Sequence, residues 1–380
     1  MNWIFFDFIP WDYDVSTPQK RPLGGSQSAL CYLAKALADR GERVTTVTGT
    51  KTPQKVGNID CLSLQNVPAT LFQPAETVVV VLNGPAEVVA ALRGILPPGR
   101  PLVLWTQHAH DQPAMAALRD PDCVRQWDRI VCISDWQKAM FTQQLGVPSE
   151  RIDVLRNAIG PAFLRLFTSR DELAAAKQGP PRLAYTSTPF RGLEVLLDCV
   201  PALRREHSDL VVEVYSSMQV YGQDTAQDPF RPLYVRCQTT PGVAYIGSLP
   251  QPELAQRLRG ATVLAYPNTF PETSCIAVME ALAAGLAVVT SELGALPETG
   301  AGWATLVSPL SLLRSRQQYA ADFVAAVHRL LAQAADDEAA FFDRQWQQVQ
   351  QIRTTCTWSI RAEQWINAAR HWLAGKAILS

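Results

Sequence analysis

Short apolar or β-branched runs alternate with longer segments of helical periodicity along nearly the whole chain, and this alternation restricts the folds open to it. Trp3–Phe8, Arg43–Thr48, Thr77–Leu82, Leu102–Thr106 and Arg129–Ile133 have the length and composition of strands. Ser26–Arg40, Ala86–Ile95, Ala114–Leu118 and Asp135–Gln144 read as the helices between them, with Gly41 as a C-cap and Ser134 as an N-cap. Strands that alternate with helices form parallel sheets covered on both faces, so the fold class is α/β.

The pattern restarts in the second half. Arg182–Ser187, Leu210–Tyr215, Val243–Gly247, Ala261–Pro267 and Leu286–Thr290 read as strands. Gly192–Glu206, Gln251–Arg259 and the segment after Pro271 read as helices. With 380 residues the chain is long for one core, so two domains are expected. The polar stretch Phe163–Pro181, ending in Gly179-Pro180-Pro181, marks the boundary. The expected division is 1–162, 163–355 and a terminal 356–380. Within the last, Trp358–Leu373 has apolar residues at helical spacing and folds back over the first domain. Gly222–Pro241, rich in Gln, Asp and Pro, reads as an irregular excursion.

A formal net charge of −1, with 47% apolar and 18% charged residues, leaves no electrostatic footprint for nucleic acid. It also gives no general attraction to anionic lipid, while leaving peripheral membrane contact through a local patch open. The apolar start Met1–Pro10 has no basic leader, is interrupted by Asp7 and is too short to span a bilayer. It reads as a buried first strand. The eight cysteines are scattered without a C-x-x-C pair, which points to reduced, mostly buried thiols in a cytoplasm. No His/Cys pair has zinc-ligand spacing, so no metal is expected.

Six places carry chemistry. In Pro271–Gly285, Glu272 precedes a helix and Glu280 lies within it. The small, polar helix start suits a phosphate, and the carboxylates suit sugar or ribose hydroxyls. The plain alternative is a surface helix with a capping carboxylate. Gly24-Gly25 before the first long helix lets backbone approach an anion, or is a flexible turn. Two of the five histidines, His108 and His110, follow a buried strand beside Asp111, at the edge where α/β sheets collect ligands. His108 follows the strand more closely and is the stronger candidate for proton transfer. Arg191 sits between a strand and a helix, where its fork fits a diphosphate or pairs with a carboxylate. Asn157 fixes a turn or faces a cleft, and Ser216-Ser217-Met218, which ends the second half's Leu210–Tyr215 strand, is a candidate ligand contact.

Taken in order, the Gly24-Gly25 loop, Val131–Trp136, Val154–Ile159, Arg191-Gly192-Leu193, Ala244–Gly247, Glu272-x7-Glu280 and Leu293–Glu298 resemble the retaining glycosyltransferases of the GT-B fold, family four. That resemblance implies two Rossmann-like domains facing a central cleft and a nucleotide-sugar co-substrate, UDP- or GDP-linked, with no other cofactor. It implies Glu280 on ribose, Glu272 on the donor sugar, and the amides of Ser274, Cys275 and Ile276 on the diphosphate. Gly24 and Gly25 would approach the donor, and a carbohydrate or lipid-linked acceptor would lie on the first domain. The sequence departs from the family where Thr186-Ser187-Thr188 replaces a customary Arg, Arg191 stands for Lys, and Cys275 stands for Gly. Lys20 and Arg21 are candidate extra cations. An inactive GT-B binding protein, an epimerase and a phosphorylase are the alternatives.

Overall fold

The computed structural model describes residues 1–84, 86–222, 227–311 and 313–377. It forms two compact units, Met1–Pro18 with Gly24–Ala158 and Trp358–Ser380, and Gln19–Leu23 with Ile159–Thr357.

The first unit is built on eight strands. They are β1 (Asn2–Asp7), β2 (Arg43–Thr48), β3 (Gln54–Val56), β4 (Ile59–Ser63), β5 (Thr77–Leu82), β6 (Leu102–Trp105), β7 (Arg129–Cys132) and β8 (Ile152–Val154). Their order is β3-β4-β2-β1-β5-β6-β7-β8, parallel except for the β3–β4 pair. The chain runs outward from β1 to β4 and then returns to the other side of β1, so the topological switch lies between β1 and β5. β1 is buried along its whole length, and its side chains alternate between two cores. Ile4 and Phe6 join Val79, Val81, Leu104 and Ile130 on one face. Trp3 and Phe5 turn to the other face, where Trp365 of the helix Trp358–Ala377 lies 6.2 and 6.3 Å from their rings and 5.1 Å from Trp105. Each such aromatic pair adds roughly 0.5–1.5 kcal/mol beyond burial, which fixes this helix beside Gly25–Ala38.

The second unit has six parallel strands. They are β9 (Arg182–Tyr185), β10 (Val211–Val214), β11 (Val243–Tyr245), β12 (Val263–Tyr266), β13 (Ala287–Ser291) and β14 (Thr305–Val307), in the order β11-β10-β9-β12-β13-β14. Here the switch lies between β9 and β12. The α/β class and the two Rossmann-like sheets read from the sequence are therefore borne out.

Local departures have local causes. Gly222–Pro241 contains the helix Arg231–Thr239, which accepts Pro232 because a first-turn proline loses no intrahelical hydrogen bond; positions 223–226 lie outside the described residues. Phe163–Pro181 contains the helix Arg170–Ala176, capped by Ser169. Ala114–Leu118 is part of a 3₁₀ segment, Pro113–Arg119. Ser134 caps its helix by accepting from the Gln137 amide, whereas the first long helix is capped by Asp39 and Gly41 takes the left-handed turn beyond it. All eight cysteines are buried and unbridged. Among the described residues no helix is long and apolar enough to cross a membrane.

Candidate functional site

The carboxyl ends of β9 and β12 place their loops side by side at the switch point of the second unit, the position where open α/β sheets hold ligands. Gly192 makes this approach feasible. Its φ is +119°, and a Cβ there would lie 2.1 Å from the Pro267 carbonyl oxygen. The loop after β9 thereby delivers Arg191 to the loop after β12, which carries Glu272. Arg191 Nη1 donates to both Glu272 oxygens at 2.8 and 2.9 Å, and the Tyr266 hydroxyl donates to Oε1 at 2.6 Å. From the other side, the turn after β13 clasps the Glu272 backbone. The Ala295 amide donates to the Glu272 carbonyl at 2.7 Å, and a Cβ on Gly294 would lie 2.5 Å from that oxygen.

The carboxylate partner weighed for Arg191 is thus present, and it is Glu272. The guanidinium is not used up by it. Arg191 stacks over Phe270 at 4.7 Å, Nη2 reaches the Tyr221 hydroxyl only at 3.4 Å, and buried Nε has no hydrogen-bond partner. The Nε–Nη2 edge is the one that grips an anion with two parallel bonds. Thr186 and Thr188 Oγ1 after β9, Ser216 Oγ after β10, and Gln251 Oε1 are also buried without partners. Buried polar atoms are rarely left unpaired, so this concentration at one sheet edge marks a place prepared for a polar ligand.

The helix Ile276–Ala283 begins at the same edge. Cys275 occupies its N-cap without a side-chain hydrogen bond, and no acidic residue lies in its first turn. Its leading amides keep their positive end for an incoming anion. Within this helix Glu280 is 3% exposed. Burial pushes its carboxyl up to about 7, opposed by the hydrogen bond from the Gly160 amide at 3.1 Å and a long one from Gln251 Nε2 at 3.4 Å. Gly160, Gln251 and Tyr266 were not among the residues singled out from the sequence. Tyr266 ends a strand that reads as ordinary core, and Gly160 and Gln251 are remote from Glu280 in sequence.

In the first unit the polar groups also collect at carboxyl strand ends. Gly24 precedes the helix Gly25–Ala38, which has no side-chain cap and no acid in its first turn. Asp7, at the end of β1, accepts from Tyr13 Oη at 2.7 Å and Gln27 Nε2 at 3.0 Å. Asn157 pairs its amide with that of Gln107 at 2.8 Å. His108 follows β6 in a loop held by buried Gln137, whose Nε2 donates to the His108 carbonyl at 2.8 Å. Burial lowers the His108 pKa from its ordinary value, and its Nδ1 has no partner. His110 Nδ1 is likewise unpaired, with its ring edge-on to Trp136 at 6.4 Å.

Residues 181–333 match the family model described as Glycosyl transferases group 1, which bears out the resemblance read from the sequence. The chain is similar to a glycogen synthase of Mycobacterium tuberculosis, 26% identical over 177 residues. That match covers 46% of this chain and 40% of the relative, so it spans less than half of the relative's length. A sucrose-phosphate synthase from Thermosynechococcus elongatus has the same fold, with a TM-score of 0.71 at 17% identity over 99% of this chain and 100% of that one. An Anabaena protein in complex with UDP-glucose aligns with a TM-score of 0.63 at 16% identity, over 97% and 99% of the two chains.

Proposed function

We propose that this protein transfers a sugar from a nucleotide-sugar donor, UDP- or GDP-linked, to an acceptor hydroxyl, with retention at the anomeric carbon. The observation that carries this reading is the Arg191–Glu272 pair beside an uncapped helix start at the second unit's switch point. In the proposed complex Arg191 keeps Nη1 on Glu272 and turns its Nε–Nη2 edge to the diphosphate. One guanidinium then orients the sugar-binding carboxylate and stabilises the leaving group. The amides of Ser274, Cys275 and Ile276 face the same phosphates, Glu272 takes donor-sugar hydroxyls, and Glu280 takes the ribose. Thr186, Thr188 and Ser216 supply neutral hydrogen bonds where a second cation is customary. The first unit holds a carbohydrate or lipid-linked acceptor, with Gly24, Gly25 and His108 at its own sheet edge.

Chemically, the bond from the anomeric carbon to phosphate breaks as the acceptor oxygen bonds that carbon from the same face. The departing phosphate oxygen takes the acceptor proton. The charge that develops on the diphosphate is met by fixed amide dipoles and Arg191, which need no reorganisation during reaction. Arg191's involvement with Glu272 also supports a second reading, a GT-B protein that binds a nucleotide sugar without turning it over. Thermal shift against nucleotide diphosphates and their sugars, followed by product analysis, separates the two. A ligand at about 100 times its Kd should add roughly 3 kcal/mol of stability. Transferred or hydrolysed sugar supports the enzyme, and a shift without turnover supports the binder. A new epimer or a sugar phosphate identifies an epimerase or a phosphorylase. No shift and no turnover with any nucleotide sugar refutes both leading readings.

A further inference from the structure

Remote from the Arg191 loop, the helix Leu193–Glu206 ends beside the middle of Arg316–Asp336. Glu206 is its last residue, His207 is its C-cap, and His328 projects from the facing helix. Among the described residues, this is the one group of three His, Cys, Asp or Glu whose ligand atoms all lie within 4.8 Å of one another. We propose that Glu206, His207 and His328 bind a divalent transition ion of the zinc type, with water completing the coordination.

The separations match such a site. With metal–nitrogen bonds of about 2.0–2.1 Å, two imidazoles on one tetrahedral ion have ring centroids roughly 5 Å apart and neighbouring donor atoms roughly 3.3 Å apart. The His207 and His328 rings are 5.3 Å apart, and His328 Nδ1 lies 3.2 Å from Glu206 Oε2. The donor atoms lie within 4.8 Å of one another, so an ion would draw them together by rotation of their side chains. That rotation is open to Glu206, which is exposed, and to the two half-buried histidines. Two imidazoles and a carboxylate form a donor set for zinc rather than for magnesium or calcium, which take oxygen ligands. The negative end of the Leu193–Glu206 helix adds to the attraction, and Arg205, within electrostatic reach of His328, opposes it. No linear motif marks the site, because its two histidines come from separate helices. A bound ion would tie together two helices that pack on each other and against β12 and β13.

The test is titration of untagged, full-length protein with Co²⁺, read by visible absorption, and with Zn²⁺, read by thermal shift. One Co²⁺ per chain with the strong bands of a low-symmetry, four-coordinate ion is expected. His207→Ala and His328→Ala should each weaken binding at least about tenfold, and Glu206→Gln should weaken it while keeping the helix end intact. A His108→Ala/His110→Ala variant should bind as the parent does, which sets apart the chain's other histidine pair. The proposal fails if there is no saturable binding, if binding is indifferent to both His207 and His328, or if it is lost with His108 and His110. If His207→Ala does not fold, His328→Ala and Glu206→Gln decide the matter, since neither removes a helix cap.

Discussion

Removing Arg191 separates its structural work from its proposed chemical work. In Arg191→Ala, Glu272, with its side chain 4% exposed, keeps only the Tyr266 hydroxyl among its present side-chain donors. Breaking a buried pair from one side costs about 3–5 kcal/mol. The Arg191 side chain is 22% exposed, so water screens part of the pair and the lower end, about 3 kcal/mol, is expected. In a unit of this size each kcal/mol moves the midpoint by roughly 2–4 °C, which predicts a fall of roughly 6–12 °C. Arg191→Ala/Glu272→Gln removes the stranded charge, so most of that loss should be recovered, with a coupling energy of about 1–3 kcal/mol across the cycle. Binding of a nucleoside diphosphate, measured by calorimetry, should behave differently. It should be lost in Arg191→Ala and stay lost in the stable double variant, because the Nε–Nη2 edge is missing from both. Arg191→Lys should hold Glu272 but bind the diphosphate weakly, since an ammonium offers no second edge. Parental nucleotide affinity in the double variant would refute the phosphate role and leave Arg191 a purely structural partner of Glu272.

Three further outcomes are expected. Burial raises the Glu280 carboxyl to about 7, so the folded state holds a proton that the unfolded chain releases near its ordinary value, and stability must fall as pH rises between these points. Glu280→Gln, which cannot ionise, should therefore gain in melting temperature relative to the parent from pH 5 to pH 8, and a pH-independent difference would contradict this. His108→Ala decides between His108 and the departing phosphate as the group that takes the acceptor proton: with the phosphate as base, turnover should fall far less than the roughly 10²–10⁴-fold that loss of a general base costs, with nucleotide affinity unchanged by calorimetry, and a fall of that size would move the proton to His108. Cys275→Ser offers the helix Ile276–Ala283 the side-chain cap it lacks, raising stability by up to about 1 kcal/mol while competing with phosphate for the same amides. Stability and nucleotide affinity should thus move in opposite directions, and a parallel rise in both would be the wrong result.

The sheets were legible because their strands are buried on both faces, so runs such as Thr77–Leu82 stand out from their surroundings. Short edge strands were not. β3, at the sheet edge, is the polar stretch Gln54–Val56, and three-residue β14 carries no periodicity long enough to recognise. At the site, Glu272 and Arg191 could be picked out because they are ionisable groups in loops that follow strands, and Glu280 because it is a lone carboxylate within an otherwise apolar helix. Their partners could not. That Arg191 meets Glu272 depends on Gly192 admitting the Pro267 carbonyl, a contact between loops with three strands and several helices between them in sequence. The metal-like cluster was invisible for the same reason, since linear spacing reports ligands that share an element and misses those that meet across helices.

The helix ends show where this chain forgoes stability. Ser134, Ser169, Ser315 and Asp337 each cap a helix by accepting an amide hydrogen bond. Such a cap contributes about 1 kcal/mol. Gly24 and Cys275 precede helices at the switch points and provide no such bond. Gly192, Phe230, Pro250 and Ala295 likewise precede helices without a side-chain cap, so a bare helix start alone does not mark a site. The start at Cys275 is set apart by its surroundings in the second unit, the sheet edge where Arg191 Nε and the Thr186, Thr188 and Ser216 hydroxyls also lack partners. A ligand carrying both an anionic group and hydroxyls would satisfy that combination of bare amides and unpaired side-chain groups. In the second unit that ligand requirement falls within residues 181–333, the span matched by the glycosyl transferase family model.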